Sequence, residues 1–507
     1  MSDQIFVTST TMDKKVLFSC ISIIAAFFPG INIQTGTPEQ GREAFFLLQL
    51  EMQRGQFPGL QVYIRENHRE VSEMINLQED GRFDTLPLPG KEPLSQILIK
   101  RALFLFLTKI TLEQNPWGIL TGIRPGKLVS RMEEMELTAE IQSSILTDLY
   151  LVEKEKTLLL KTIAEIQKPY LQRIKRRPDL VSVYVTVPFC PSRCFYCSFP
   201  SNILNDRNKK YLPLYLQALF QEITLTGEMM KELDLKADCI YIGGGTPTLL
   251  ESEDLQALFQ IIQSSIPMEN SVEYTVEGGR PDSIDRTKLL LMKASGVNRI
   301  SINPQTMQEQ TLIKIGRNHT VDEVVKCYGL AREMGDWIIN MDLILGLPGE
   351  GHQEMMDSLE KVLALQPDNL TLHALAVKRG SAAWENRFTH NRKEDWANIM
   401  RSAGQCLKKS GLKPYYVYRQ KNIAGNQENA GYTGNGKACR YNIGIIEEKQ
   451  NIIGLGAGAS SKIMKHTSGH VNSYNQLDLQ YYAAHVFENH LKRKDTLRES
   501  YQRFDKF

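Results

Sequence analysis

The chain is predicted to be an α/β protein, and three observations predict it. From residue 180 onward, short β-branched runs alternate with helical stretches through six units. The runs are short and rich in β-branched residues, as strands are. At 507 residues, the chain is also too long for those six units alone. Alternating strand and helix implies parallel pairing through right-handed crossovers, hence an α/β sheet or barrel. With roughly 100 to 200 residues per domain, two to four domains are expected. We divide the chain into an N-terminal α+β accessory domain (1–170), the six β/α units (171–385) and a mostly helical C-terminal appendage (386–507).

The elements follow in order. Lys14 and Lys15 precede the apolar run VLFSCISIIAAFF, Val16 to Phe28, which imitates the apolar core of a secretion signal. Pro29, Gly30 and a polar segment follow it instead of a small-residue cleavage site, and the run is shorter than the roughly 20 residues a bilayer needs. It is expected to be a buried helix or strand. From Leu94 to Gln114, apolar residues recur at three- and four-residue intervals, the period of a helix. In the following NPWGILTGIRPGKLVSRM, Gly118, Gly122, Pro125 and Gly126 break regular structure while Arg124 and Lys127 add charge. Such a loop could cradle an anion, but its spacing is not that of a phosphate-binding loop, and an interdomain turn is expected. A charged amphipathic helix then runs from about Tyr150 to KRRPDL, where Pro178 stops it.

The six strands are VSVYVTV, ADCIYIGG, SVEYTVE, VNRISIN, WIINMDLILG and DNLTLHAL. Between them, helices are expected at LPLYLQALFQEIT, SEDLQALFQIIQ, DRTKLLLMKA, TVDEVVKCYGLAREM and HQEMMDSLEKVLALQ. After Arg379 the pattern turns helical and irregular, with a glycine-rich IIGLGAGASSK near the end.

Charge and cysteine content narrow the function. The 60 Lys plus Arg nearly balance 58 Asp plus Glu, so no global basic field points to nucleic acid or a membrane surface. Eight cysteines are far too few for a disulfide scaffold, and Cys20, Cys239, Cys327, Cys406 and Cys439 stand alone. A reducing compartment, the cytoplasm, is expected.

The other three cysteines crowd into VPFCPSRCFYCSFP, Val187 to Pro200. Cys190, Cys194 and Cys197 fall in the loop after the first strand, at the edge where α/β proteins place ligands. Soft thiolates this close together select zinc, copper(I) or an iron–sulfur cluster. No fourth Cys or His stands within the loop to complete a structural zinc site, although a distant His could, and buried free thiols are the bland alternative. Three thiolates on a four-iron cluster would leave one iron open to a small molecule.

The CxxxCxxC spacing, with Tyr196 before the last cysteine, resembles the radical S-adenosylmethionine superfamily. That resemblance implies a partial (β/α)6 radical-SAM barrel, one 4Fe-4S cluster held by Cys190, Cys194 and Cys197, and one or two molecules of S-adenosylmethionine. IGGGTPT, Ile242 to Thr248, supports it: bare backbone at Gly243, Gly244 and Gly245 can approach a ligand's charged ends. The sequence further resembles the oxygen-independent coproporphyrinogen III dehydrogenase branch through GGGTPT, YTVEGGRPD, VNRISINPQTM, KIGRNHT and DLILGLPGE. Its leading region and the ENAGYTGNG segment look like the longer, HemZ-type subgroup.

Carried over residue by residue, the resemblance places Tyr184 and Tyr196 beside the cluster and adenosylmethionine. It puts Gly244, Gly245 and Thr246 at the methionyl end, and Glu277, Gln305, Arg317 and Asp342 in polar sites for the ribose and carboxylate. Ala376 matches an adenine-side contact. The bland alternatives are a helix-capping role for Glu277 and Asp342, a surface ion pair for Arg317 and a turn for Gln305. Two positions depart from the branch pattern: Phe199 stands where a further cysteine is usual, and ENAGYT replaces the HNxxYW-like segment of the haem-chaperone branch.

The implied reaction is radical oxidative decarboxylation of two propionates of coproporphyrinogen III to vinyl groups. Residues 386–507 would cover this tetrapyrrole substrate, and Lys378, Arg379, Lys413, Arg419, Lys421 and Arg440 are candidates for its carboxylates. The alternatives are a haem-binding trafficking protein and another radical enzyme acting on a tetrapyrrole. The implied partners are a reduced flavodoxin- or ferredoxin-like electron donor and the substrate, with no nucleic acid and no membrane span, and the chain is expected to be a monomer.

Overall fold

The structure is a computed structural model. It describes residues 4–28, 31–36, 46–53, 59–66, 69–77, 81–113, 115–390, 394–465 and 469–501. Pro29, Gly30 and Gln114, used above to bound two elements, lie outside the described residues. The chain divides into two compact units, Met1–Ala164 with Arg419–Gln427, and Glu165–Tyr418 with Glu428–Phe507.

The first unit is α+β. Its sheet runs in the order β2-β1-β3-β4-β5, built from β1 (Gln4–Thr8), β2 (Asn32–Thr35), β3 (Phe46–Gln53), β4 (Gly59–Glu66) and β5 (Arg69–Asn76). β1 pairs in parallel with β2 and β3, and β3, β4 and β5 form an antiparallel meander. The apolar run near the start is a helix, Lys14–Phe27, begun by the Asp13 carboxylate accepting from the Lys15 N–H. It buries Val16, Cys20, Ile23, Ile24 and Phe27, so the run is core and Phe27 meets Phe104 edge-on at 5.2 Å. Phe104 belongs to the helix Leu94–Thr111.

No described helix is long and apolar enough to cross a membrane. In the NPWG segment, Gly118 has φ +53° and faces the Tyr150 and Leu151 backbone so closely that a Cβ would overlap it. The fully buried Trp117 lies under the Arg419 guanidinium, 5.4 Å from the ring centre.

The second unit is an eleven-stranded sheet among the described residues. Its strands are β6 (Leu180–Val187), β9 (Lys236–Gly244), β10 (Met268–Glu277), β11 (Arg299–Ser301), β12 (Ile338–Leu345), β13 (Asn369–Ala374), β14 (Lys413–Tyr418), β15 (Asn429–Thr433), β16 (Ile452–Leu455), β17 (Ser460–Met464) and β18 (His470–Tyr474). Two short strands in the cysteine loop, β7 (Phe189–Cys190) and β8 (Asn202–Ile203), pair separately. β6, β9, β10, β11, β12 and β13 lie side by side and are parallel throughout, which is the predicted six-unit array. The sheet ends at β14 and β18 without closing, so the barrel is partial.

The expected helices between the strands are present at Leu212–Glu232, Ser252–Ser265, Arg286–Ala294, Val321–Met334 and His352–Ala364. Val183, Val185, Ile240, Ile242, Val276, Ile300, Ile339 and Leu343 are buried between sheet and helices.

From residue 386 onward the chain supplies strands as well as helices. β15 and β14 extend the sheet antiparallel beyond β13, β16 adds in parallel beside β6, and β17 and β18 complete that side. Gly431 in β15 is required because the Tyr416 ring occupies the place of a Cβ. A buried clasp holds the C-terminal helix Val486–Tyr501. The Arg493 guanidinium donates to Glu222 at 2.6 Å, and the same carboxylate accepts from Tyr482 (2.6 Å), Gly456 N–H (2.7 Å) and Asn475 (2.8 Å). Both ions are essentially unexposed, so the extra donors are what make the burial tolerable.

Candidate functional site at the C-terminal edge of the parallel strands

The cysteine loop leaves β6 at Val187 and is stapled at both ends. Phe189 pairs with Asn202 and Cys190 with Ile203, while the Leu204 N–H donates to the Cys190 carbonyl at 2.9 Å. A turn brings Cys194 and Cys197 together, Cys197 N–H donating to Cys194 C=O at 3.1 Å. The loop is further held from β/α units across the sheet: Phe195 N–H donates to Ile315 C=O (3.0 Å), Ser192 Oγ to Gly316 C=O (2.9 Å) and Ala383 N–H to Phe195 C=O (2.9 Å). All three cysteines are free and half-buried. Among the described residues, no three His, Cys, Asp or Glu side chains form a site for a single metal ion.

Donors converge on the sulfurs. The Arg280 Nη2 lies 3.2 Å from Cys194 Sγ and 2.7 Å from Ser192 Oγ, and Thr246 Oγ1 lies 3.8 Å from Cys190 Sγ. Burial pushes the Cys197 thiol above its ordinary value, with the neighbouring thiols adding to it. Burial, and then Cys194, raises the Tyr196 hydroxyl well above the usual range. That hydroxyl accepts from the buried Arg317 Nη1 at 3.1 Å, and Arg317 Nη2 donates to Gly279 C=O at 2.6 Å. Arg317 is therefore buried at the site, not in a surface ion pair.

β9 ends in the glycine cradle. A Cβ at Gly243 would stand 2.6 Å from a Glu277 carboxylate oxygen, and one at Gly245 would overlap the Phe189 backbone. Gly244 has φ +104°, a conformation that excludes other residues at little cost only to glycine. Glu277 ends β10 and accepts from the Tyr241 hydroxyl at 2.5 Å. Burial raises its pKa to about 7, with the Tyr241 hydrogen bond opposing and the Asp342 charge adding. Tyr441 stacks on Tyr241 at 4.4 Å, and Tyr184 lies 6.0 Å from each of the two rings, so three tyrosines fill the lumen next to Glu277.

Gln305 follows β11 at φ +69°, its backbone bonded to Asp342 C=O and Ile344 N–H and its Oε1 buried without a partner. Asp342 in β12 accepts from Asn340 at 2.8 Å and faces His373 Nε2 at 3.8 Å. Burial is the largest single influence and would raise its pKa, but the His373, Asn340 and Thr371 contacts together outweigh it and the net direction is down. Ala376 is buried just past β13.

Cys190, Tyr196, Gly244, Gly245, Thr246, Glu277, Gln305, Arg317 and Ala376 thus lie along one edge, contributed by consecutive parallel strands, with Tyr184 and Asp342 further down their strands. The Arg280 Nη1, Arg317 Nε and Gln305 Oε1 atoms are buried there without protein partners. Orphaned donors beside three soft thiolates, and a cradle that any Cβ would fill, fit an anionic cluster and a zwitterionic ligand.

Sequence reasoning did not single out Arg280, Tyr241 or Tyr441. Arg280 stood in the quoted YTVEGGRPD, and its signal was a cation three residues after a strand-end carboxylate. Of the cations proposed for substrate, Lys378 and Arg379 follow β13 at this edge. Arg440 is instead committed at the opposite edge, where it donates to the Asp238 and Ser271 carbonyls and pairs with the Asp238 carboxylate at 3.6 Å. Lys413 starts β14 opposite Thr433, itself opposite Asn369 at the start of β13, so it too lies at the far edge. Arg419 and Lys421 belong to the first unit, and Arg419 donates to the Leu120 and Asn426 carbonyls.

Residues 184–362 match the family model of the Radical SAM superfamily. The oxygen-independent coproporphyrinogen-III oxidase-like protein HemZ of Bacillus subtilis (strain 168) is 41% identical over 361 residues, covering 71% of this chain and 72% of that one. This strand-edge site and these matches define a radical SAM protein, whose superfamily is built on a 4Fe-4S cluster and S-adenosylmethionine. Within that superfamily, the chain belongs to the HemZ-like family. The heme chaperone HemW of the same organism is 36% identical over 198 residues, 39% of this chain and 51% of that one. Among solved structures, coproporphyrinogen III oxidase (HemN) from Escherichia coli superposes with a TM-score of 0.50 at 23% identity, covering 64% of this chain and 73% of that chain, a likeness of fold.

Proposed function

We propose that the chain is an oxygen-independent coproporphyrinogen III dehydrogenase, converting two propionates to vinyl groups by radical oxidative decarboxylation. The observation that carries the reading is the convergence on one sheet edge of the cysteine loop, the glycine cradle and the buried polar side chains of successive strands. The HemZ and HemN likenesses support a tetrapyrrole as the substrate. Cys190, Cys194 and Cys197 would hold the 4Fe-4S cluster. When bound, the cluster and S-adenosylmethionine supply a 5′-deoxyadenosyl radical able to remove hydrogen from carbon.

The chain's own residues bind, orient and exclude water. Gly244, Gly245 and Thr246 offer bare backbone and a hydroxyl to the methionyl end. Arg317, with an unpartnered Nε, suits a carboxylate, and Glu277 and Asp342 suit hydroxyl or ammonium donors. Gln305 presents a free amide oxygen. Tyr184 and Tyr196 provide flat apolar faces beside the cluster, and Ala376 leaves room for a planar base. Lys378 and Arg379 are the proposed partners of a propionate carboxylate, and burial lowers the Lys378 pKa, leaving its charge open to stabilisation by an incoming anion. A reduced flavodoxin- or ferredoxin-like carrier would deliver the electrons.

The test is anaerobic reconstitution followed by reductant, adenosylmethionine and coproporphyrinogen III, reading 5′-deoxyadenosine and porphyrin mass together. Deoxyadenosine coupled to loss of two carboxyl groups, and absent in Cys194→Ala, is the expected result. Deoxyadenosine with an unchanged tetrapyrrole would refute the substrate.

A further inference from the structure

Arg280 has no part in the contacts above that bind adenosylmethionine or substrate, yet it is 3% exposed, and its side chain sits against the cysteine loop. It comes from the turn after β10, where Arg280 N–H donates to Gly278 C=O and Pro281 begins a short helical turn, Pro281–Ser283. Nη2 reaches the Ser192 carbonyl (3.2 Å), the Ser192 hydroxyl (2.7 Å) and Cys194 Sγ (3.2 Å), while Nη1 is buried with no protein partner.

Two neighbours limit what offsets its charge. Arg317 is a second buried cation close by, and His319 is held neutral, its pKa pushed down to about 3 by burial and then by the Arg317 and Arg280 charges. Asp282 stands 4.0 Å from the His319 ring and also faces Arg317. Around His319, two buried guanidinium groups thus stand near one partly exposed carboxylate, which faces Arg317. Such an imbalance is costly unless an anion completes it.

We propose that Arg280 is a positioning residue for the cluster, whose guanidinium hydrogen-bonds the Cys194 ligand and raises the cluster's reduction potential. The inference rests on the proposed assignment of Cys190, Cys194 and Cys197 as cluster ligands. Its physical basis is direct: one-electron reduction makes a cluster and its thiolates more negative by one charge. A buried cation and a hydrogen bond to sulfur favour that reduced state. The same contacts tie the cysteine loop to the turn after β10, so one side chain both places Cys194 and sets its field.

The experiment is an EPR-monitored redox titration of the reconstituted full chain without adenosylmethionine, comparing wild type with Arg280→Gln, Arg280→Lys and Arg193→Gln. Arg193 is an exposed cation in the same loop, bonded to the Gly380 carbonyl, so it controls for surface charge. Arg280→Gln is expected to shift the cluster's equilibrium at least about tenfold toward the oxidised form, a fall of about 59 mV for a one-electron couple. Arg280→Lys keeps the charge and recovers most of the shift, and Arg193→Gln, whose exposed charge is screened by water although it reaches Cys197, shifts the potential by much less. Equal potentials in wild type and Arg280→Gln, with equal iron content, would overturn the assignment. An equal fall in Arg193→Gln would overturn it as well, by making the effect one of general charge. If Arg280→Gln fails to retain iron, Arg280→Lys decides: a potential that falls despite the retained charge overturns the electrostatic role. Failure of the wild type to assemble any cluster would instead refute the ligand assignment.

Discussion

Glu277 sits in the folded chain with its proton affinity raised from 4.5 to about 7, chiefly by burial. A carboxyl whose folded pKa exceeds its unfolded value binds its proton more tightly in the native state. Its contribution to stability is then complete below about pH 4.5 and is lost as pH rises through 7. At 1.36 kcal/mol per tenfold change in affinity, the loss is at most about 3 kcal/mol. Its half-buried side chain brings the figure down. Glu277→Gln keeps an oxygen to accept the 2.5 Å hydrogen bond from Tyr241 and removes the titration. Urea unfolding of the cluster-free chain at pH 5 and pH 8 tests it, because comparing mutant with wild type cancels all other titrating groups. The mutant should gain about 1 to 3 kcal/mol relative to wild type on going from pH 5 to pH 8. A mutant-to-wild-type difference that is the same at both pH values would refute the assignment of burial as the dominant cause.

Three further outcomes follow from the geometry. Cys194→Ala and Cys197→Ala should each lower iron and sulfide content after anaerobic reconstitution by roughly tenfold, with the far-ultraviolet circular dichroism of the wild type retained. Gly245→Ala drives a Cβ into the Phe189 backbone, which cannot rotate away as a side chain could. It should cost about 1–3 kcal/mol in urea unfolding and displace Cys190 along with its neighbour Phe189. Glu222→Gln leaves Arg493 buried without its counter-charge and should cost about 3–5 kcal/mol, read as loss of the C-terminal helix's protection in hydrogen exchange.

The six β/α units were legible because each strand is a short, β-branched run covered on both faces, and each helix repeats apolar residues at its own period. Their cysteine loop was equally legible, since clustering of three thiolates has few explanations. The strands after residue 386 were not: KPYYVY carries a proline and NAGYT a glycine, both of which weaken a strand pattern, and their pairing is decided by β13. Gly431 illustrates the point. It reads as a break in the sequence, yet it is there to admit the Tyr416 ring. Arg280 was hidden for the opposite reason, because an arginine before a proline in a turn carries the same local signal whether it points to solvent or to a sulfur 3.2 Å away.

The cations show how topology separates candidates that composition cannot. In a parallel sheet every strand begins at one edge and ends at the other, so a residue's place relative to its strand decides which edge it serves. Lys413 opens β14, and Arg440 donates to the Asp238 and Ser271 carbonyls, near the starts of β9 and β10; both are remote from a cysteine loop that follows a strand end. At that far edge Glu273 accepts from the Cys439 thiol and the Arg440 and Tyr441 N–H groups and pairs with Arg299 at 3.5 Å. The charges there pair with one another, as in a structural network, although the Arg299 Nε is left without a hydrogen-bond partner. At the cysteine edge Arg280, Arg317 and Gln305 each keep a buried polar atom unanswered. Arg299 and Arg493 also keep a buried nitrogen unanswered, but each is paired with a carboxylate; Arg280 and Arg317 instead stand beside the cysteine loop and the glycine cradle, so that edge is where a ligand has polar groups left to complete.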